Sequence, residues 1–183
     1  MGDEFTKNFS KMKYGPVNLG QIEALLNKIG GEKGMNDILS GKATIAYKEH
    51  IIDLDADPRI PYDGWNVEEH KKGGQFTWDP TKVALFLSKK QQEGSIEGNK
   101  LRKEMADQPV YNANLLDYLL DNPHLIPEEW KGKAVFFWGT IYRNSDGYLC
   151  VRCLFWNGGH WGQVNFWLVN RFDAGNPSLV AAS

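Results

Sequence analysis

Residues Ala134–Trp156, "AVFFWGTIYRNSDGYLCVRCLFW", decide the fold class. Two runs rich in aromatic and β-branched residues flank "RNSDGY". Asn, Ser and Asp bond their own backbone in turns, and glycine takes positive φ without steric cost. The pattern predicts an antiparallel hairpin over residues 134–156. "WNGG" at 156–159 then predicts a second turn, with more extended chain beyond it. After Lys133 the sequence contains no Lys, Glu or Met.

Upstream of the hairpin the periodicity is helical. In "NLGQIEALLNKIGG" Asn18 and Gln21 have capping-box spacing, and Ile22, Leu25, Leu26 and Ile29 form one stripe before Gly30. A shorter helix carries Met35, Ile38 and Leu39 and stops at Gly41. "ATIAY" (43–47) and "HIIDLDA" (50–56) read as extended. "WDPTKVALFLSKKQQEG" reads as a helix capped by Asp79, with Pro80 in its first turn and Val83, Phe86 and Leu87 inward. "GNKLRKEMADQ" is a weaker helix, and "NANLLDYLLDNP" a strong one with Leu115, Leu116, Leu119 and Leu120 inward. Helices first and a clustered antiparallel sheet last define an α+β domain.

The chain has 183 residues, 42% hydrophobic and 24% charged, enough for a real core. A net charge of -2, with no run of basic residues, argues against nucleic acid as partner. No stretch of about 18 apolar residues is present, and the first residues lack the apolar middle of a secretory signal. Gly2 and Thr6 fit a myristoylation pattern only loosely. The expectation is a cytoplasmic protein, or one associated with a virion or cell surface by another route.

Patterns that carry chemistry are sparse. Asp53, Asp55 and Asp57 have the spacing of a calcium loop, but Pro58 stands where the loop needs glycine and Gly64 where it needs a bidentate glutamate. His50, His70, His124 and His160 form no metal-ligand pair. Cys150 and Cys153 lie three residues apart on a strand, so they face opposite ways and read as free thiols. "GGEKG" lacks the Lys-Ser/Thr of a phosphate loop. No metal site, cofactor or catalytic set is expected.

The stretch Trp156–Pro177, "WNGGHWGQVNFWLVNRFDAGNP", is different. It holds three tryptophans, five amides and four glycines. Its residues between the tryptophans follow no clear period. Aromatic, amide and glycine residues are what adaptable binding surfaces use, since rings give area at low entropy cost and amides adapt.

With the hairpin, this C-terminal region resembles the variable proteins of diversity-generating retroelements. "HIIDLDADP", "GWNVEEHKKGGQFTWDP", "EGNKLR" and "NANLLDYLLDNPHLIPEEWKGK" resemble the same group, so the likeness covers most of residues 19–183. The resemblance implies a C-type lectin-like fold over residues 18–183, after an N-terminal extension 1–17, with a variable region at about 150–176. It implies a ligand-binding protein rather than an enzyme, its surface rewritten by adenine-directed copying and its ligand an unknown macromolecule, of protein chemistry. Adenine-rich template codons become N-N-C codons, which cannot encode Trp, Gln, Lys, Glu or Met. Between Asn157 and Gly175 only Trp161, Gln163 and Trp167 fall outside the allowed set.

The residues the resemblance nominates as variable are Cys153, Phe155, Asn157, Gly159, His160, Gly162, Val164, Asn165, Phe166, Val169, Asn170, Arg171, Phe172, Asp173 and Gly175. Trp156, Trp161 and Trp167 are nominated as framework. "WNG" lacks the Asp of the W-N-D calcium motif of sugar-binding lectins, so calcium-dependent sugar binding is not implied. Two alternatives stand beside this reading: an enzyme on a formylglycine-generating-type fold, and a structural subunit of a virus particle or surface assembly. The expected core comprises Leu25, Leu26, Leu116, Leu119, Phe137, Trp138, Ile141 and Trp156. His160 and residues Val164 to Phe166 and Val169 to Asp173 are expected to share one exposed patch.

Overall fold

The computed structural model describes residues 17–46 and 48–182. The expected extension, apart from Val17, and the Gly2/Thr6 pattern lie outside the described residues. So does Tyr47, the end of the expected strand "ATIAY", whose residues 43–46 are irregular. The chain divides into two compact units between Lys48 and Glu49.

The first unit holds helices α1 (Leu19–Ile29) and α2 (Gly31–Leu39). The capping box forms as the spacing predicts: Asn18 Oδ1 accepts from Gln21 N–H at 2.9 Å, and Gln21 Oε1 accepts from Asn18 N–H at 3.0 Å. Gly30, at φ +90°, ends one helix and begins the next. No residue of either helix is buried. Leu25 is 50% exposed and Leu26 only half-buried, which corrects their placement in the core. Two short helices have too little facing surface to exclude water from both stripes.

In the second unit β1 (Ile51–Asp53) pairs with β3 (Gln75–Thr77). The main sheet runs in the order β4 (Val83–Phe86), β10 (Ser178–Ala181), β6 (Ala134–Arg143), β7 (Leu149–Trp156), β8 (Trp161–Trp167). Strand β2 (Asn66–His70) pairs with the far half of β6. A third sheet joins β5 (Ser95–Glu97) to β9 (Arg171–Asp173). The hairpin of β6 and β7 and the next strand form as expected, and the architecture is α+β. The sheet is mixed rather than wholly antiparallel, because β10 meets β6 in parallel at Ser178↔Phe136.

The expected helix from Trp78 to Gly94 does not form as one piece. Asp79 caps only a 3-10 turn at Pro80–Lys82, the chain then becomes β4, and α3 spans Lys89–Glu93 behind a Ser88–Gln91 capping box. Val83 and Leu85 pack into one cluster and Phe86 against the other. That period of two is the strand signature, and pairing with β10 satisfies the backbone. Helices α4 (Gly98–Met105) and α5 (Ala113–Asp121) form where the sequence predicts them.

The centre of the sheet, β6 and β7, is buried on both faces. Leu115, Leu116 and Leu119 of α5 pack with Val135, Phe137, Leu154 and Trp161 on one face. Leu101 and Met105 of α4 pack with Phe136, Trp138, Ile141, Val151, Cys153 and Phe172 on the other. Strand β6 is therefore buried almost end to end, which is why it reads as a continuous apolar run. Its register with β7 shifts between Phe136 and Ile141. Gly139 lies in that irregularity, donating to Tyr111 C=O at 2.9 Å, and a Cβ there would stand 2.8 Å from the same oxygen. This close approach seats the start of α5 on the sheet, where Ala113 N–H donates to Thr140 Oγ1.

Candidate functional site

The hairpin of β7 and β8 carries the stretch that the sequence singles out. Its turn is built by Asn157, whose Oδ1 accepts from Gly159 N–H at 3.2 Å and His160 N–H at 3.0 Å. Asn157 N–H donates to His160 C=O at 3.2 Å, closing the turn. Gly158 takes φ +92°, which disfavours a side chain. Below the turn Trp156 and Trp161 face each other across the strands with ring centroids 5.5 Å apart. Lys131 Nζ lies 4.1 Å from the Trp156 ring centroid. Trp161 is buried and Trp156 half-buried against the α5-side core.

Several nominated residues gather at this tip. Phe155 pairs with Gly162, and a Cβ on Gly162 would touch the Phe155 ring at 3.5 Å. Val164, 43% exposed, lies on the same face. Gly175 joins through its carbonyl, which accepts from Ala134 N–H, and Ala134 is the pairing partner of Phe155. Asp173 Oδ1 accepts from Gly175 N–H at 2.8 Å, and Asn176 Oδ1 from Asp173 N–H at 3.0 Å. Beneath this loop buried Gln91 donates through Nε2 to the carbonyls of Asp173 and Asn176. Phe155, Asn157, Gly159, His160, Gly162, Val164 and Gly175 thus share one end of the hairpin, and Asn157, itself one of them, holds the backbone of Gly159 and His160.

Much of the rest of the expected patch lies elsewhere, although Asp173, exposed and bonded to Gly175, stays near the tip. Val169, Asn170 and Arg171 follow the other end of β8, and a seven-residue strand spans roughly 20 Å. Arg171 is tied down, donating from Nε to Ser95 Oγ and from a terminal nitrogen to Ser95 C=O, both at 2.7 Å. Phe172 is fully buried against Phe136, Trp138 and Phe166, and Phe166 is itself half-buried. Cys153 is fully buried in the same cluster. Both are core residues, not surface ones: β9 folds back over the sheet, so its middle side chain faces inward. Trp167 departs in the opposite sense, being 50% exposed beside Tyr148 with ring centroids 6.2 Å apart.

A buried ion pair lies behind β8. Arg152 donates to both carboxylate oxygens of Asp117, at 3.1 and 2.6 Å, and through Nε to Gln163 Oε1 at 3.3 Å. Burial opposes the charge on Arg152, but the Asp117 hydrogen bonds and charge outweigh it and hold the guanidinium protonated. The signal was present in sequence: an Arg inside the apolar run "YLCVRCLFW" and an Asp inside the leucine-rich "NLLDYLLD".

The other candidates settle into structural contacts. Asp55 Oδ1 accepts from Gly73 and Gly74 N–H, and Asp53 Oδ1 from Asp55 N–H. His70 Nδ1 lies 2.9 Å from Thr140 Oγ1, and His50 Nδ1 lies 2.8 Å from Tyr118 Oη. Among the described residues no cluster of His, Cys, Asp or Glu has the geometry of a metal site. Burial pushes the thiols of Cys150 and Cys153 up to about 11 and about 12, far from the range of a nucleophile. Away from the hairpin, a cavity of 490 Å³ lies between α4 and β2. Its Arg102 pairs with Glu69, and its Lys71 caps the carbonyls of Met105 and Ala106. No helix among the described residues is long and apolar enough to cross a membrane. No protein-family model, curated protein or solved structure matches the chain.

Proposed function

We propose that this chain is a ligand-binding protein of C-type lectin-like fold, whose hairpin tip is diversified by adenine-directed retroelement mutagenesis. Its ligand is a macromolecule, of protein chemistry, met by the surface around Phe155, Asn157, Gly159, His160, Gly162, Val164 and Gly175. One observation carries the reading. The residues of β8 that N-N-C codons cannot encode include Trp161, which is buried, and Gln163, which is bonded to the buried Arg152. Gly159, His160 and Val164 between and around them are exposed. Residues open to change therefore alternate with residues that hold the fold, and exposed positions tolerate change at about 0.5 kcal/mol or less. Cys153 and Phe172 drop out of the proposed surface because substitution there would reach the core.

The test is at the coding locus. A near-copy of the final coding stretch, differing from it only at adenines and lying near a reverse-transcriptase gene, is the expected result. A locus with neither element sinks the proposal. At the protein level, a library randomised at Gly159, His160 and Val164 should yield mostly folded chains with melting temperatures within a few degrees of the parent. A library that mostly fails to fold would exclude this tip as a variable surface.

A further inference from the structure

Strand β8 is the last strand on its side of the main sheet, so one of its edges meets no other strand among the described residues. Two hydrogen bonds tell which edge each peptide uses. Leu168 N–H donates to Leu149 C=O, and His160 C=O accepts from Asn157 N–H. The register with β7 is unbroken from Cys150↔Trp167 to Trp156↔Trp161. Even-numbered residues therefore turn their peptide groups toward β7, and Trp161, Gln163, Asn165 and Trp167 turn theirs outward. Apart from Trp167 C=O, which accepts from Asn170, these outward groups have no backbone partner among the described residues.

Natural sheets blunt such an edge with charge, proline or a bulge. Strand β8 reads "WGQVNFW" and has none of these. A second observation points the same way. Asn165 Oδ1 is buried with no hydrogen-bond partner among the described residues. Two residues away on the same face, Gln163 Oε1 is held by Arg152. Its Nε2 makes no hydrogen bond among the described residues, so a fixed amide donor is left over beside a stranded amide acceptor.

We infer that the outer edge of β8 is a homodimer interface, in which β8 pairs antiparallel with β8 of a second copy about a two-fold axis at Val164. This register pairs all four outward residues. It sets Gln163 opposite Asn165 of the second copy, with Cα atoms about 5.5 Å apart, so that rotation of the Asn165 amide out of its buried position brings the stranded Oδ1 to the free Nε2. It sets Trp161 opposite Trp167 of the second copy, giving the half-exposed Trp167 ring an aromatic neighbour. Gly162 leaves room opposite Phe166, and the two Val164 side chains meet on the axis. The occupant is a second copy because the strand complements itself at every pair: amide to amide, ring to ring, glycine to ring, with no charge to repel.

This inference goes beyond the proposed function and does not rest on it. The main-chain bonds themselves draw on no side chain, and Trp161, Gln163 and Trp167 lie outside the set that N-N-C codons can encode. In the dimer Val164 and Gly162 are covered, leaving Phe155, Asn157, Gly159, His160 and Gly175 to meet a ligand, and a charged residue at 164 would make the chain monomeric.

Sedimentation velocity on the full chain, from micromolar to sub-millimolar, tests the interface, with circular dichroism confirming that each variant folds. The wild type should sediment as a dimer. Val164→Lys and Val164→Glu should each be monomers, because like charges would meet on the axis. An equimolar mixture of the two should recover the dimer. Asn165→Pro removes an outward N–H that the ladder to β7 does not use, and should likewise abolish the dimer. A wild type that stays monomeric at every concentration overturns the inference. So do a dimer that survives Val164→Lys and Asn165→Pro, and a mixture of folded charged variants that stays monomeric.

Discussion

Replacing Asp117 by alanine strands a charge in the core. The Arg152 and Asp117 side chains are 6% and 9% exposed, and Asp117 accepts two of the guanidinium's hydrogen bonds at 3.1 and 2.6 Å. Gln163, the other partner, contributes only a neutral acceptor at 3.3 Å. Without the carboxylate the guanidinium is left buried and uncompensated, at a cost of about 3–5 kcal/mol. Domains are stable by only about 5–15 kcal/mol, so the loss is a large fraction of the total. At about 2–4 °C per kcal/mol, the melting temperature should fall by about 10 °C. Removing both charges together, as Asp117→Leu with Arg152→Met, should restore most of that loss, since replacing a whole buried pair by apolar side chains is commonly near neutral. Urea unfolding of the full chain reads both variants. A single variant within about 1 kcal/mol of wild type would refute the reasoning, because it would mean that water reaches the guanidinium.

Phe172→Ala should destabilise by about 3–5 kcal/mol, since the ring is fully buried against Phe136 and Trp138; denaturant unfolding shows it, and a neutral result would return Phe172 to the surface set. The raised thiols set an alkaline limit. Their folded state holds its protons more tightly than the unfolded chain, so this contribution is intact below the unfolded value near 8.5 and is lost as pH rises toward about 11 for Cys150 and about 12 for Cys153. Melting temperature against pH should therefore decline above about 8.5, and Cys150→Ala with Cys153→Ala should flatten that decline. Gly98→Ala should cost about 1–3 kcal/mol by thermal unfolding, because a Cβ would stand 2.5 Å from the Phe172 ring and 2.7 Å from Leu168 C=O.

Local chemistry was legible in the sequence wherever one segment decided the outcome. The Asn18 capping box, the leucine stripe of α5 and the hairpin through "RNSDGY" each form from contacts within a few residues or from a turn with few options. Strand β4 was not legible, because Val83–Phe86 fits a helical stripe as well as a strand until β10, nearly a hundred residues later, supplies the pairing edge. The site divides along the same line. Its composition and its alternation with tryptophan stood in the sequence, and so did the turn that Asn157 builds. Which side chains reach water did not. Phe172 is buried because β9 doubles back across the sheet, and of two tryptophans on one face of β8 only Trp161 reaches the core beside α5 while Trp167 stays half-exposed. Burial depends on what packs above a residue, and for β8 and β9 that layer comes from Gln91, Ser95 and α4, far away along the chain.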